Sequence, residues 1–240
     1  MDEHGSSMNA STAQPKASRR KKVRVFLVWA ALSIATLYLV VSLVWRFTGS
    51  NQWELKAESH GVKVYTLKSP GSDRVLYKAN FRVRSSLSAI VAAFQDPNAC
   101  EGGSGCESKM VKRIDDQLIY FYLKGTPSSW VRPRDVVVRT LTHQNAATKE
   151  VLVEVVAVAD MAPRDECCVR VVDMSNYWKF SPVENGWVDV EYSINVDVGL
   201  PHALLYLWLP DLLTKQRGYF QRLFSATKYR EARLDYIQEP

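Results

Sequence analysis

The stretch WVDVEYSINVDV, Trp187 to Val198, alternates without a slip: Val188, Val190, Tyr192, Ile194, Val196 and Val198 are apolar, while Asp189, Glu191, Ser193, Asn195 and Asp197 between them are polar. Successive side chains of a strand point to opposite faces, so this run is a strand of an antiparallel sheet with one face covered and one wet. After Gly199-Leu200-Pro201 the period changes. Leu212 and Leu213, Gln216, Tyr219 and Phe220, then Leu223 and Phe224 form a stripe at helical spacing that reaches toward Leu234. A one-sided sheet followed by an aromatic-striped helix asks that the helix lie on the apolar face of the sheet.

Upstream, Ile119–Leu123, Val136–Leu141, Val151–Val158 and Val169–Val172 are further strand-like runs. Before them Leu87, Ile90, Val91 and Phe94 predict a helix over 86–95, and Val62–Tyr65 and Val75–Val83, separated by the turn Pro70-Gly71-Ser72-Asp73, read as the first two strands. Trp53-Glu54-Leu55-Lys56 opens the domain and is read as a short helix. The expected layout is two strands, a helix, a run of strands and a long last helix. That is an α+β fold in which a curved antiparallel sheet wraps the C-terminal helix.

Further toward the N-terminus the chain changes character. Val25 to Trp45, VFLVWAALSIATLYLVVSLVW, has only Ser33, Thr36 and Ser42 as polar members and no charge. At about 1.5 Å per residue such a helix crosses a hydrocarbon core of roughly 30 Å. A cleaved signal peptide has a shorter apolar region and a small-x-small site, whereas this run ends in Trp45-Arg46-Phe47. Lys16, Arg19, Arg20, Lys21, Lys22 and Arg24 precede the run, so the N-terminus is expected in the cytoplasm and the folded part outside it, in the periplasm if the cell is bacterial. The division is then a basic disordered tail over 1–24, an uncleaved anchor over 25–45, a linker over 46–52 and one domain over 53–240.

The same basic residues account for the charge. Against Asp2 and Glu3 they place most of the net +6 in the first 24 residues, so no basic folded face remains for nucleic acid. In an oxidising compartment Cys100 and Cys106, which bracket Glu101-Gly102-Gly103-Ser104-Gly105, are candidates for a small disulfide ring; free thiols and cross-pairing with Cys167 or Cys168 are the alternatives. Spacing suggests no metal site and no cofactor. His4, His60, His143 and His202 are scattered, and the glycine-rich loop is not followed by the Lys-Ser or Lys-Thr of a phosphate loop. Asp115-Asp116 and Asp165-Glu166 read as solvated acids in turns, which leaves no catalytic constellation.

Taken in order, Trp53, Gly61-Val62-Lys63-Val64-Tyr65, Tyr77-Lys78-Ala79, Phe94-Gln95-Asp96, Trp130-Val131-Arg132-Pro133-Arg134-Asp135, Ala162-Pro163 with Val169-Arg170, Trp178, Val190-Glu191-Tyr192 and Asp197 with Gly199 and Pro201 closely resemble the START family of lipid-transfer domains. The resemblance runs from about 52 to 236. It implies a helix-grip fold with an internal apolar cavity between the sheet and the last helix, holding one lipid or other hydrophobic molecule without a metal or nucleotide. By position, Met161, Ala162 and Pro163 would belong to the loop over the cavity mouth. From alternation, Val190, Tyr192 and Ile194 would face the cavity opposite Gln216, Tyr219, Phe220 and Leu223. Arg134 and Asp135, the charged pair of the motif, would form an internal salt bridge at a strand end. Steroid-binding members place a buried charge late in the following strand; Thr140 takes that place here, with Arg139 on the other face, which puts a sterol in doubt.

The function expected is therefore non-enzymatic: binding or transfer of a hydrophobic molecule beside the anchoring membrane, with a protein as donor or acceptor. Two alternatives belong to other classes, a lipid-sensing module that regulates a membrane partner and a helix-grip enzyme acting on a hydrophobic molecule. Stoichiometric capture of a partner without lipid transfer would mark the first. Turnover of a bound ligand would mark the second.

Overall fold

The computed structural model describes residues 16–102, 106–126 and 131–240, the side chains of 16–21 and 100–102 excepted. It divides into two compact units, Met1–Arg46 and Phe47–Pro240. In the first, α1 (Lys16–Phe47) is one helix of 32 residues, so the helix begins within the stretch read as a disordered tail. Its portion Lys22–Phe47 has a mean hydropathy of 2.3 over its most apolar window, buries nothing and is long and apolar enough to cross a membrane.

The second unit carries a ten-stranded sheet. Its strands are β1 (Glu54–Ser59), β2 (Val62–Leu67), β3 (Leu76–Arg84), β4 (Cys106–Arg113), β5 (Leu118–Gly125), β6 (Arg134–Gln144), β7 (Val151–Ala157), β8 (Val169–Arg170), β9 (Ser175–Val183) and β10 (Trp187–Ile194). The spatial order is β1-β2-β3-β10-β9-β7-β6-β5-β4, all antiparallel, with β8 added parallel to β6. Helix α2 (Leu87–Gln95) follows β3, and α3 (His202–Thr214), α4 (Gln216–Phe224) and α5 (Thr227–Arg230) close the chain.

Trp53–Lys56 does not start a helix. The turn after it decides the matter: His60 and Gly61 both have positive φ, 54° and 72°, the geometry of a two-residue hairpin turn, and they fold β1 back along β2. A side chain on Gly61 would also meet Arg217 Nη1 at 2.6 Å, where that guanidinium reaches the His60 carbonyl. Helix α2 begins where expected. The Ser86 hydroxyl accepts from the Ala89 N–H, and the Glu239 carboxylate accepts from Leu87 and Ser88 N–H at 2.9 Å each, so the first turn has its donors satisfied.

The C-terminal helical stretch is in pieces. The Thr214 hydroxyl donates to the Asp211 carbonyl, and the Lys215 N–H turns to the carbonyls of Leu212 and Leu213, which tightens the chain and ends α3. The next helix starts at Gln216 in a new direction of packing: α3 lies on β1, β2 and β3, and α4 on β3 and α2. Beneath these helices Val62, Val64, Ala79, Val83 and Val188 are at most 2% exposed, and Leu213 of α3 is as buried.

Candidate functional site: an aromatic cavity between sheet and helix

Between α2, α4 and the strands β5, β6, β7, β9 and β10 lies a cavity of about 320 Å³. Phe94, Phe121, Leu123, Val138, Val155, Trp178, Tyr192, Phe220 and Leu223 line it, with Thr140, Asn176, Ser108 and Asp96 as its polar members. A ladder of rings closes one side. Trp178 stacks on Tyr192 at 3.6 Å between centroids, Phe94 meets Trp178 edge-on at 5.2 Å, and Phe220 meets it edge-on at 4.8 Å. Burial pushes the Tyr192 phenol well above the ordinary tyrosine range, so it is neutral at any physiological pH.

The polar members are mostly engaged elsewhere. Burial raises the Asp96 carboxyl, but hydrogen bonds from Lys228 Nζ (2.8 Å), Tyr229 OH (2.6 Å) and Asn98 N–H (2.7 Å) outweigh it and hold the group below the usual carboxylate range. Asn176 Oδ1 accepts from Asn195 N–H, and the Tyr219 hydroxyl donates to the Ala99 carbonyl. The walls left to a guest are apolar rings and aliphatic side chains.

Of the residues singled out in the sequence, Tyr192, Tyr219, Phe220 and Leu223 lie in this wall. Val190, Ile194 and Gln216 do not. Val190 is 2% exposed between Phe81 and Phe180 in the sheet register, and Ile194 is opposite Tyr77, so both fill core on the same face but to either side of the opening. Gln216 opens α4 a full turn before the helix reaches the cavity. Trp178, Asn176 and the other residues of β9 were missed as a strand, although Tyr177-Trp178-Lys179-Phe180 carries its own alternation. The strand β4 was missed as well.

Met161, Ala162 and Pro163 belong to the segment after β7 and do not enter the cavity wall. They are tied down instead. Asp135 does pair in the interior, but with Arg170 and not with Arg134: Nη2 and Nε reach one carboxylate oxygen at 2.8 and 3.0 Å, and the two side chains are 0% and 3% exposed. The same guanidinium donates to the carbonyls of Ala159, Ala162 and Pro163. Arg134 turns outward along the chain to the carbonyls of Val198 and Arg132, because its register position on β6 faces away from Arg170. Thr140, 4% exposed, is in the cavity wall, and Arg139 is not.

Cys167 and Cys168 are bonded to each other. Cys106 is disulfide-bonded, while the Cys100 side chain, and with it the expected ring, lies outside the described residues. Asp165, Cys167 and Cys168 are, among the described residues, close enough to share a metal ion, but both sulfurs are already joined. A larger hollow of about 640 Å³ lies between Ser85–Leu87, Val183–Val188 and Phe224, but it lacks the ring of aromatic walls.

Solved structures place this architecture. A STAR-related lipid transfer protein of Xanthomonas axonopodis superimposes with a TM-score of 0.65 at 22% identity, covering 72% of this chain and 99% of that one. The fold is that of the START domains. Human STARD10 (TM-score 0.64, 16% identity, 74% of this chain and 75% of that one) and the human StAR-related lipid transfer protein 5 (0.61, 17%, 81% and 95%) share the same fold. An uncharacterized protein of Pseudomonas aeruginosa is 24% identical over 151 residues, 62% of this chain and 74% of its own length. No family model matches the sequence.

Proposed function

We propose that this START-fold domain holds one hydrophobic molecule in the cavity between its sheet and α4, and presents or transfers it at the outer face of the membrane that α1 anchors. The observation that carries the reading is the aromatic wall of Trp178, Tyr192 and Phe220 around an apolar space that no side chain among the described residues fills. Moving an acyl chain of about 14 methylenes out of a bilayer costs about 11 kcal/mol, and only a space that re-buries the chain offsets it. A volume of about 320 Å³ is at the lower end for ligand sites, which suits one chain or one compact apolar molecule better than a whole two-chain lipid.

The basic residues in the first turns of α1, ahead of its apolar run, support an exported domain, and so do the bonded cysteines, since disulfides persist in oxidising compartments. The anchor disfavours a free shuttle; the domain works locally and hands its ligand to a partner. The test is native mass spectrometry of the protein purified from its own host, with organic extraction of what co-purifies. One hydrophobic molecule per chain is expected. A chain that comes out empty and protects no added lipid would overturn the reading in favour of a partner-binding module.

A further inference from the structure

Both faces of α3 carry large apolar side chains. Leu205 and Leu213 are buried against the sheet, yet Leu204, Leu207, Trp208 and Leu212 are 52%, 75%, 43% and 45% exposed. Among the described residues Leu207 is the most exposed of the large hydrophobic side chains, those of α1 included. Residues at this spacing share one side of a helix, so they make one stripe. His202 stands at its start, and Asp211, ion-paired with Lys215 (2.7 Å), interrupts it between Trp208 and Leu212. Soluble surfaces carry scattered apolar residues but seldom concentrate them on one helix.

The chain itself says what lies nearby. The linker is fixed to the domain immediately after α1: Lys68 Nζ donates to the Thr48 carbonyl at 2.7 Å, Asn51 N–H donates to the Lys68 carbonyl, and Gly49, at φ 114°, leaves no room for a side chain beside that carbonyl. Lys68 follows the last residue of β2, and α3 packs across β1 and β2. Asp73 lies within electrostatic reach of both Lys68 and His202, so the point where the linker is held and the start of α3 share one end of the sheet.

We infer that the Leu204, Leu207, Trp208 and Leu212 face of α3 docks on the bilayer that holds α1, lying in the interface with its leucines toward the acyl chains and Trp208 at the headgroup level. The inference rests on α1 being a membrane anchor and is independent of what the cavity holds. A second copy of the chain is the competing occupant. With the linker held one residue after the spanning helix, a bilayer is always within reach of this end of the sheet, whereas a second copy must be recruited.

The test uses the full chain in vesicles of mixed phosphatidylethanolamine and phosphatidylglycerol, with a nitroxide side chain introduced in turn at Leu207 and at Val111, an exposed position on β4. Leu207 is expected to be shielded from an aqueous paramagnetic reagent and open to oxygen, and Val111 the reverse. Leu207→Glu, at a position too exposed to unfold the domain, should slow transfer of a fluorescent fatty acid to acceptor vesicles about tenfold, the worth of one buried leucine, while the fatty acid bound per chain stays the same. Leu207 in water overturns the docking, and spin–spin broadening between Leu207 labels overturns it in favour of a dimer. If instead Leu207 is in the bilayer and no ligand co-purifies, the cavity reading falls and the docking stands.

Discussion

The two halves of the sheet are finished differently. On β2 and β3 the inner face is covered by α3 and α4, and its residues, Val62, Val64, Tyr77, Ala79, Phe81 and Val83, are almost completely buried. On β4 to β7, among the described residues, α2 to α5 touch the strands only sparsely, and the 3-10 turn Pro97–Gly102 packs against β4. There Ile119, Phe121 and Val138 make a small cluster with the partly buried Met110, Leu123, Val136, Val155 and Met174, and the cavity opens beside it. The short reach of α4 produces the space. The comparison teaches that a cavity of this kind comes from a helix that covers only half a sheet, and that the uncovered half must be held by something other than helix packing.

That something is the Asp135–Arg170 pair, which fastens β6, β8 and the 159–163 segment. The largest expected effect therefore belongs to Asp135→Ala. It leaves a guanidinium that is 3% exposed without its counter-ion and should cost about 3–5 kcal/mol in urea unfolding. Arg134→Ala, whose hydrogen bonds go to carbonyls near the surface, should cost about 1 kcal/mol in the same measurement. Equal costs would mean that the uncovered half does not depend on the ion pair.

On the sealed half, Leu213→Ala should cost about 3 kcal/mol, since Leu213 is 1% exposed and its removal leaves a hole that tight packing cannot close. Leu223→Trp sharpens the contrast. It adds bulk where space exists, so stability should stay within about 1 kcal/mol while the co-purifying ligand is lost, read by native mass spectrometry. A ligand retained at full occupancy by Leu223→Trp would move the binding site away from this cavity.

The smallest effect lies at the cavity mouth. The Asp96 carboxyl is held below its ordinary value in the folded protein, so its contribution is full above the unfolded-state value of 3.8 and is lost as pH falls through the lower, folded one. Asp96→Asn should cost roughly 1 kcal/mol at neutral pH, and the variant's stability should fall less than the wild type's on acidification, followed by urea unfolding across pH.

Local sequence carried much of this. The alternation of residues 187–198 fixed the buried face of β10, and the stripe at Tyr219, Phe220 and Leu223 fixed the inward side of α4, because side-chain direction follows from the period of strand or helix alone. The apolar run after the basic residues marked α1 in the same way. Three things were not legible. Whether Val190 or Tyr192 meets the cavity depends on where the opening falls along the strand, a matter of which helix covers which half. That Asp135 pairs with Arg170 depends on β8 lying parallel to β6, a contact 35 residues apart. Finally, the division of one apolar stripe into α3, with leucines on both sides, and α4, with aromatics turned in, depends on the turn at Lys215. Period determines the face a residue shows; only the packing of distant elements decides what that face meets.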